Sequence, residues 1–121
     1  MEINNDSLDV LSNFDKKLPV FMINYLEYKE IVSSTGKTGK ETYNDYMKAA
    51  FPFFQKIDAE IIFKGTPQVT IIGSQNEKLW DEVLIVKYAN KNEFFKLIQN
   101  KKYPKALRAS ALKDSRLIFC K

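Results

Sequence analysis

Apolar positions recur along the chain with two periods, and the switches between them mark out the elements. Leu8, Val10, Leu11 and Phe14 follow helical spacing behind an acidic start, which predicts a short amphipathic helix over Asp6–Phe14. Pro19 opens Val20–Tyr28, apolar at nearly every position and therefore a strand. Lys29–Lys40 holds Ser33, Ser34, Gly36 and Gly39 and reads as a loop. Thr38 and Glu41 stand at capping-box spacing and can start the next helix. That helix should run over Glu41–Ile57, because Tyr43, Tyr46, Met47, Ala50, Phe51, Phe54 and Ile57 share one stripe. Pro52 inside it should kink the helix or remove one internal hydrogen bond. Ala59–Lys64 reads as a strand, Val69–Ile72 as a short strand, Gly73–Lys78 as a polar turn and Trp80–Tyr88 as a long strand. Asn90 is a good N-cap for a helix over Glu93–Asn100, with Phe94, Phe95, Leu97 and Ile98 inward. Tyr103-Pro104 opens another short helical stretch, and Ser115–Cys120 is the last strand.

The main elements run strand, helix, strand, strand, helix, strand. That order predicts an α+β, ferredoxin-like βαββαβ subunit: a four-stranded antiparallel sheet with its helices on one face. With 121 residues the chain suits one domain over 1–121, carrying a short helical N-terminal extension at about 1–16. Neighbouring side chains of a strand point to opposite faces, yet Val20/Met22 and Phe21/Ile23 are apolar on both sides, as are Val83/Ile85 and Leu84/Val86. Two helices cover only one face, and the N-terminal helix is too small to cover the other. A second copy of the sheet is the economical cover, so a homodimer is expected.

Composition narrows the chemistry. Histidine is absent and cysteine occurs once, at Cys120. Triads and dyads that need imidazole, histidine-ligated haem, thiolate clusters and internal disulfides are thereby excluded, and no cofactor or metal is expected. The lone thiol suits a reducing cytoplasm. The start Met1-Glu2-Ile3-Asn4-Asn5-Asp6 has no signal-peptide pattern, and no apolar run reaches membrane-spanning length. The net charge is +4, with four acids and no base in Met1–Asp15 and nine bases against two acids in Lys91–Lys121. Those lysines are spaced as a solvated helix face and a turn, so neither nucleic acid nor membrane is expected as a partner.

Two tempting motifs fail. Gly36-Lys37-Thr38 looks like the end of a phosphate-binding loop, but Ile31 stands where its first glycine should be. Val20–Tyr25 resembles the first strand of RNA-recognition domains, but Leu79–Tyr88 lacks the glycine-aromatic motif those domains stack bases on. A broader likeness runs through Pro19–Leu26, the Tyr43-x-x-Tyr46 helix to Pro52, Trp80-Asp81-Glu82-Val83, Phe94/Phe95, the Tyr103 turn and Arg108–Leu117. In these residues the chain resembles the domain-of-unknown-function 1330 family of the dimeric α/β-barrel superfamily. The resemblance implies ferredoxin-like subunits whose sheets pack face to face as a dimeric α/β barrel. It implies no established activity, because that superfamily includes cofactor-free monooxygenases, lactone isomerases and haem enzymes.

Asn24, an amide in an apolar strand, is a candidate for orienting a ligand carbonyl or for satisfying a backbone group or its dimer mate. Trp80 could be a ligand platform or, more commonly for such a residue, a core or dimer-rim aromatic. Arg108 could fork a carboxylate or pair with Asp81 or Asp114. Tyr25, Tyr46 and Tyr103 could supply phenolic protons. The expectation is a small-molecule-binding protein with a pocket between sheet and helices, lined by Asn24, Tyr46, Trp80, Tyr103 and Arg108. Its catalytic form would be a cofactor-free, monooxygenase- or isomerase-like enzyme. The alternative is a non-catalytic structural or interaction dimer whose faces are filled by packing.

Overall fold

The computed structural model of the chain describes residues 3–121. Eight elements follow in order: α1 (Asn5–Ser12), β1 (Val20–Tyr28), α2 (Gly39–Phe54), β2 (Ala59–Gly65), β3 (Glu82–Tyr88), α3 (Lys91–Gln99), α4 (Lys105–Ala111) and β4 (Leu112–Cys120). The strands form one antiparallel sheet in the order β2-β3-β1-β4. The two most apolar strands thus lie in the middle, where both edges of each are hydrogen-bonded. No helix among the described residues is long and apolar enough to cross a membrane.

Alternation sorts the side chains of β1 and β3. Val20, Met22, Asn24 and Leu26 are buried with Glu82, Leu84, Val86 and Tyr88, while the residues between them are half-buried. The buried set faces the helices. Leu11 of α1 packs with Val20, Met22, Val86, Phe94 and Leu97, and the Phe14 ring meets Phe119 edge-on at 5.1 Å. The N-terminal helix therefore joins the other helices on the same face. A second cluster holds Leu26, Tyr43, Tyr46, Ala50, Ala111 and Leu112, where α2 packs against β1 and α4. The opposite face, with Phe21, Ile23, Tyr25, Val83 and Ile85, is covered by no element among those described.

The caps form as their residue types dictate. Thr38 Oγ1 accepts from the Glu41 N–H at 3.1 Å, and the Glu41 carboxylate accepts from the Thr38 N–H at 3.1 Å. Asn90 Oδ1 accepts from the Glu93 N–H at 3.2 Å at the start of α3.

Several predicted bounds shift. The helix expected over Glu41–Ile57 begins at Gly39 and ends at Phe54, with Pro52 in its last turn. Lys56 and Ile57 continue it only as tight turns, donating to the carbonyls of Phe53 and Phe54. The strand expected at Val69–Ile72 does not form. No strand among the described residues pairs with that run, and Ile71 and Ile72 stand 86% and 94% exposed in the long β2–β3 connection. The last strand starts at Leu112, because α4 passes directly into it, rather than at Ser115.

Candidate functional site

Between the sheet and the helices lies a cavity of about 910 Å³. Asn24 reaches it from the middle of β1, in phase with Met22 and Leu26. It is 7% exposed. Its Nδ2 donates to the carbonyls of Met22 at 3.4 Å and Leu84 at 3.3 Å. Those two bonds fix the amide and leave Oδ1 to accept from Arg108 Nη2 at 3.1 Å. Arg108 comes from α4, a short helix anchored by buried Ala111 and Leu112.

Tyr46 reaches the cavity from α2, one turn beyond Tyr43, and the two rings lie 5.1 Å apart. Tyr103 comes from the turn between α3 and α4, where its N–H donates to the Asn100 carbonyl at 3.1 Å. The hydroxyls of Tyr46 and Tyr103 hydrogen-bond to each other. Tyr88, at the end of β3, completes the phenol wall, its ring edge-on to Phe94 at 5.3 Å.

Burial pushes the Tyr43, Tyr46 and Tyr88 phenols well above the usual tyrosine range, and pushes Tyr103 up to about 12. At neutral pH all four are neutral and able to donate. The Arg108 charge works against burial at each of them. A guanidinium stays protonated under any ordinary condition. Among the described residues Arg108 forms no salt bridge. The expected partners are engaged elsewhere: Asp81 Oδ2 accepts from the Tyr28 N–H at 2.8 Å, and Asp114 from Lys78 and Arg116, each at 2.6 Å.

Four of the five predicted lining residues therefore converge: Asn24, Tyr46, Tyr103 and Arg108. Trp80 does not join them. Its ring lies 5.8 Å from Tyr25 on the uncovered face, with Lys78 Nζ 4.5 Å and the Arg116 guanidinium 5.4 Å from its centroid. Alternation with Glu82 and Leu84 would have put Trp80 on the Asn24 face, but Trp80 precedes β3, outside its paired register, and its ring turns to the face that Tyr25 and Arg116 share. Lys78 and Arg116 hold the Asp114 carboxyl at about 2 in this cluster. Tyr43 and Tyr88 were not singled out from the sequence. Both were legible in principle, Tyr43 on the Tyr46 stripe and Tyr88 in phase with Leu84 and Val86.

With sheet order, register and helix placement established, the fold is ferredoxin-like. Solved structures bear this out. The RPA0582 protein, a protein of unknown function from Rhodopseudomonas palustris, superposes with a TM-score of 0.85 at 26% identity, over 99% of this chain and 94% of that one. The methylated form of RPA0582 matches equally well over 92% of its chain. A dimeric protein of unknown function and ferredoxin-like fold from Bacteroides fragilis matches with a TM-score of 0.53 at 13% identity, over 85% of this chain and 95% of that one. No protein-family model matches the chain, and no curated protein is significantly similar to it.

Proposed function

We propose that the chain is a small-molecule-binding protein that acts as a homodimer, with its ligand in the cavity between sheet and helices. The observation that carries this reading is the cavity: about 910 Å³, with apolar walls and the polar groups of Asn24, Tyr46, Tyr103 and Arg108 converging in it. Ligand sites are typically concave, mostly apolar and furnished with a few placed polar groups. A filled core, as a purely structural dimer requires, leaves no such space. The uncovered apolar face of β1 and β3 supports a second copy as its cover, as does the dimeric state of the Bacteroides fragilis protein. Both fit the resemblance to the domain-of-unknown-function 1330 family. The lone Cys120 suits a reducing compartment such as the cytoplasm. Neutral phenols and a fixed guanidinium suit hydrogen-bond donation to a ligand oxygen, which would stabilise the negative charge that develops there in an isomerase-like reaction without a cofactor.

A thermal-shift screen of a metabolite library tests the reading, run on wild type and on Ala109→Trp. Ala109 lines the cavity yet is exposed, so the indole can occupy the space without disturbing the core. A ligand at a hundred times its Kd should stabilise wild type by about 2.7 kcal/mol, and the shift should vanish in the variant. Absence of any hit, or hits that Ala109→Trp keeps, would refute the site.

A further inference from the structure

Arg108 and Arg116 are the only arginines in a chain that otherwise carries positive charge on lysine. Arg116 is paired with Asp114. Arg108 is half-buried, lines the cavity and forms no salt bridge among the described residues. Its hydrogen-bonded partners, Asn24 Oδ1 and the Tyr43 hydroxyl, are neutral acceptors, and the Asn24 amide is itself pinned by two backbone carbonyls. A guanidinium has five N–H donors, so most of them are left for something else. The phenols add to this surplus. When two hydroxyls bond to each other only one proton is used, and the accepting hydroxyl keeps its own for a third group; the Tyr46–Tyr103 pair is such a case. Facing these donors, the cavity lining contains one acid, Glu60, which is exposed at the rim, and one further cation, exposed Lys105.

The site is rich in donors, poor in acceptors and positive, within walls that are otherwise apolar. Its complement has acceptors at one end only. Building on the reading of this cavity as a ligand site, we propose that its ligand is an apolar monocarboxylate, with the carboxylate on the Arg108 fork and the Tyr46–Tyr103 pair. The hydrocarbon body then lies against Leu84, Val86, Phe94 and Leu97. A planar fork matches a carboxylate at two points, and holding the guanidinium from behind by Asn24 keeps that fork aimed without neutralising it.

Isothermal titration with matched pairs tests the inference: octanoate against octanol for a linear body, phenylacetate against phenethyl alcohol for a ring. Wild type should bind at least one acid about tenfold or more tightly than its alcohol, and the favoured pair identifies the body. Inorganic phosphate, which has a charge and no body, should not compete. Arg108→Gln should close the gap between acid and alcohol by weakening the acid far more than the alcohol, and the alcohol's continued binding shows the cavity to be intact. Arg108→Lys should restore only part of the gap, because an ammonium lacks the fork. Equal binding of acid and alcohol to wild type, a gap that survives Arg108→Gln, or competition by phosphate would each overturn the carboxylate inference and leave the cavity reading standing. If neither acids nor alcohols bind, and the metabolite screen yields no hit either, both fail.

Discussion

Five tyrosines on the helix side of the sheet couple the fold to alkaline pH. Burial raises Tyr28, Tyr43, Tyr46, Tyr88 and Tyr103 above the ordinary value of 10.0, and the Glu82 carboxylate adds to the rise at Tyr28, whose hydroxyl donates to it at 2.7 Å. Below the unfolded pKa both states keep these protons, and the groups add no pH dependence. Above it the unfolded chain releases protons that the native state retains, so stability falls as pH rises. The melting temperature should therefore drop steeply above about pH 10, with phenolate absorbance appearing together with loss of secondary structure. Tyr46→Phe should make the drop shallower. Titration of all the tyrosines near their ordinary value, in a chain that stays folded, would contradict this account of the burial.

At the scale of elements, the site depends on a crossing of three segments around Gly39. The Gly39 N–H donates to the Lys29 carbonyl at 2.8 Å, and the Lys29 N–H donates to the Ala111 carbonyl at 3.0 Å. The start of α2, the exit of β1 and the end of α4 are thus bound together, and α2 and α4 carry Tyr46 and Arg108. A Cβ on Gly39 would lie closer than 3.0 Å to backbone atoms of Lys29 and Ala111. Gly39→Ala should cost about 1–3 kcal/mol in urea unfolding, whereas Lys40→Ala at the exposed next position should stay within about 0.5 kcal/mol. Equal effects would mean that the crossing tolerates a methyl group.

This crossing also marks where the sequence was legible. Local signals such as Thr38 with Glu41, Asn90, and the alternation in β1 and β3 read correctly, because each acts within a few residues. Gly39 looked like a loop glycine, since its reason is contact with Ala111 far along the chain. Val69–Ile72 has strand-forming residues and no strand partner, and pairing is a property of the sheet that a four-residue run cannot reveal. Trp80 was grouped with Asn24 by residue type, when the face on which each stands decided which could share a cavity.

For the whole molecule, the two faces of the sheet divide the work. The helix side carries the cavity and its polar groups. The other side presents Phe21, Ile23, Val83 and Ile85, together with exposed Phe63 and Ile118 in register beside Ile85 and Ile23, as an apolar surface of the kind a soluble monomer rarely leaves open. A closed two-fold dimer through that surface would have a mass of about 28 kDa, twice the 14.1 kDa of one chain, and would leave both cavities free. The most direct test of this division is a crystal structure with the tightest-binding acid from the titrations. The account predicts two copies packed sheet against sheet, and in each the acid between β1, β3, α2 and α4, touching Arg108 and Tyr103. A ligand on the sheet face beside Trp80, or a partner copy seated over the cavity mouth with the sheet face left bare, would contradict it.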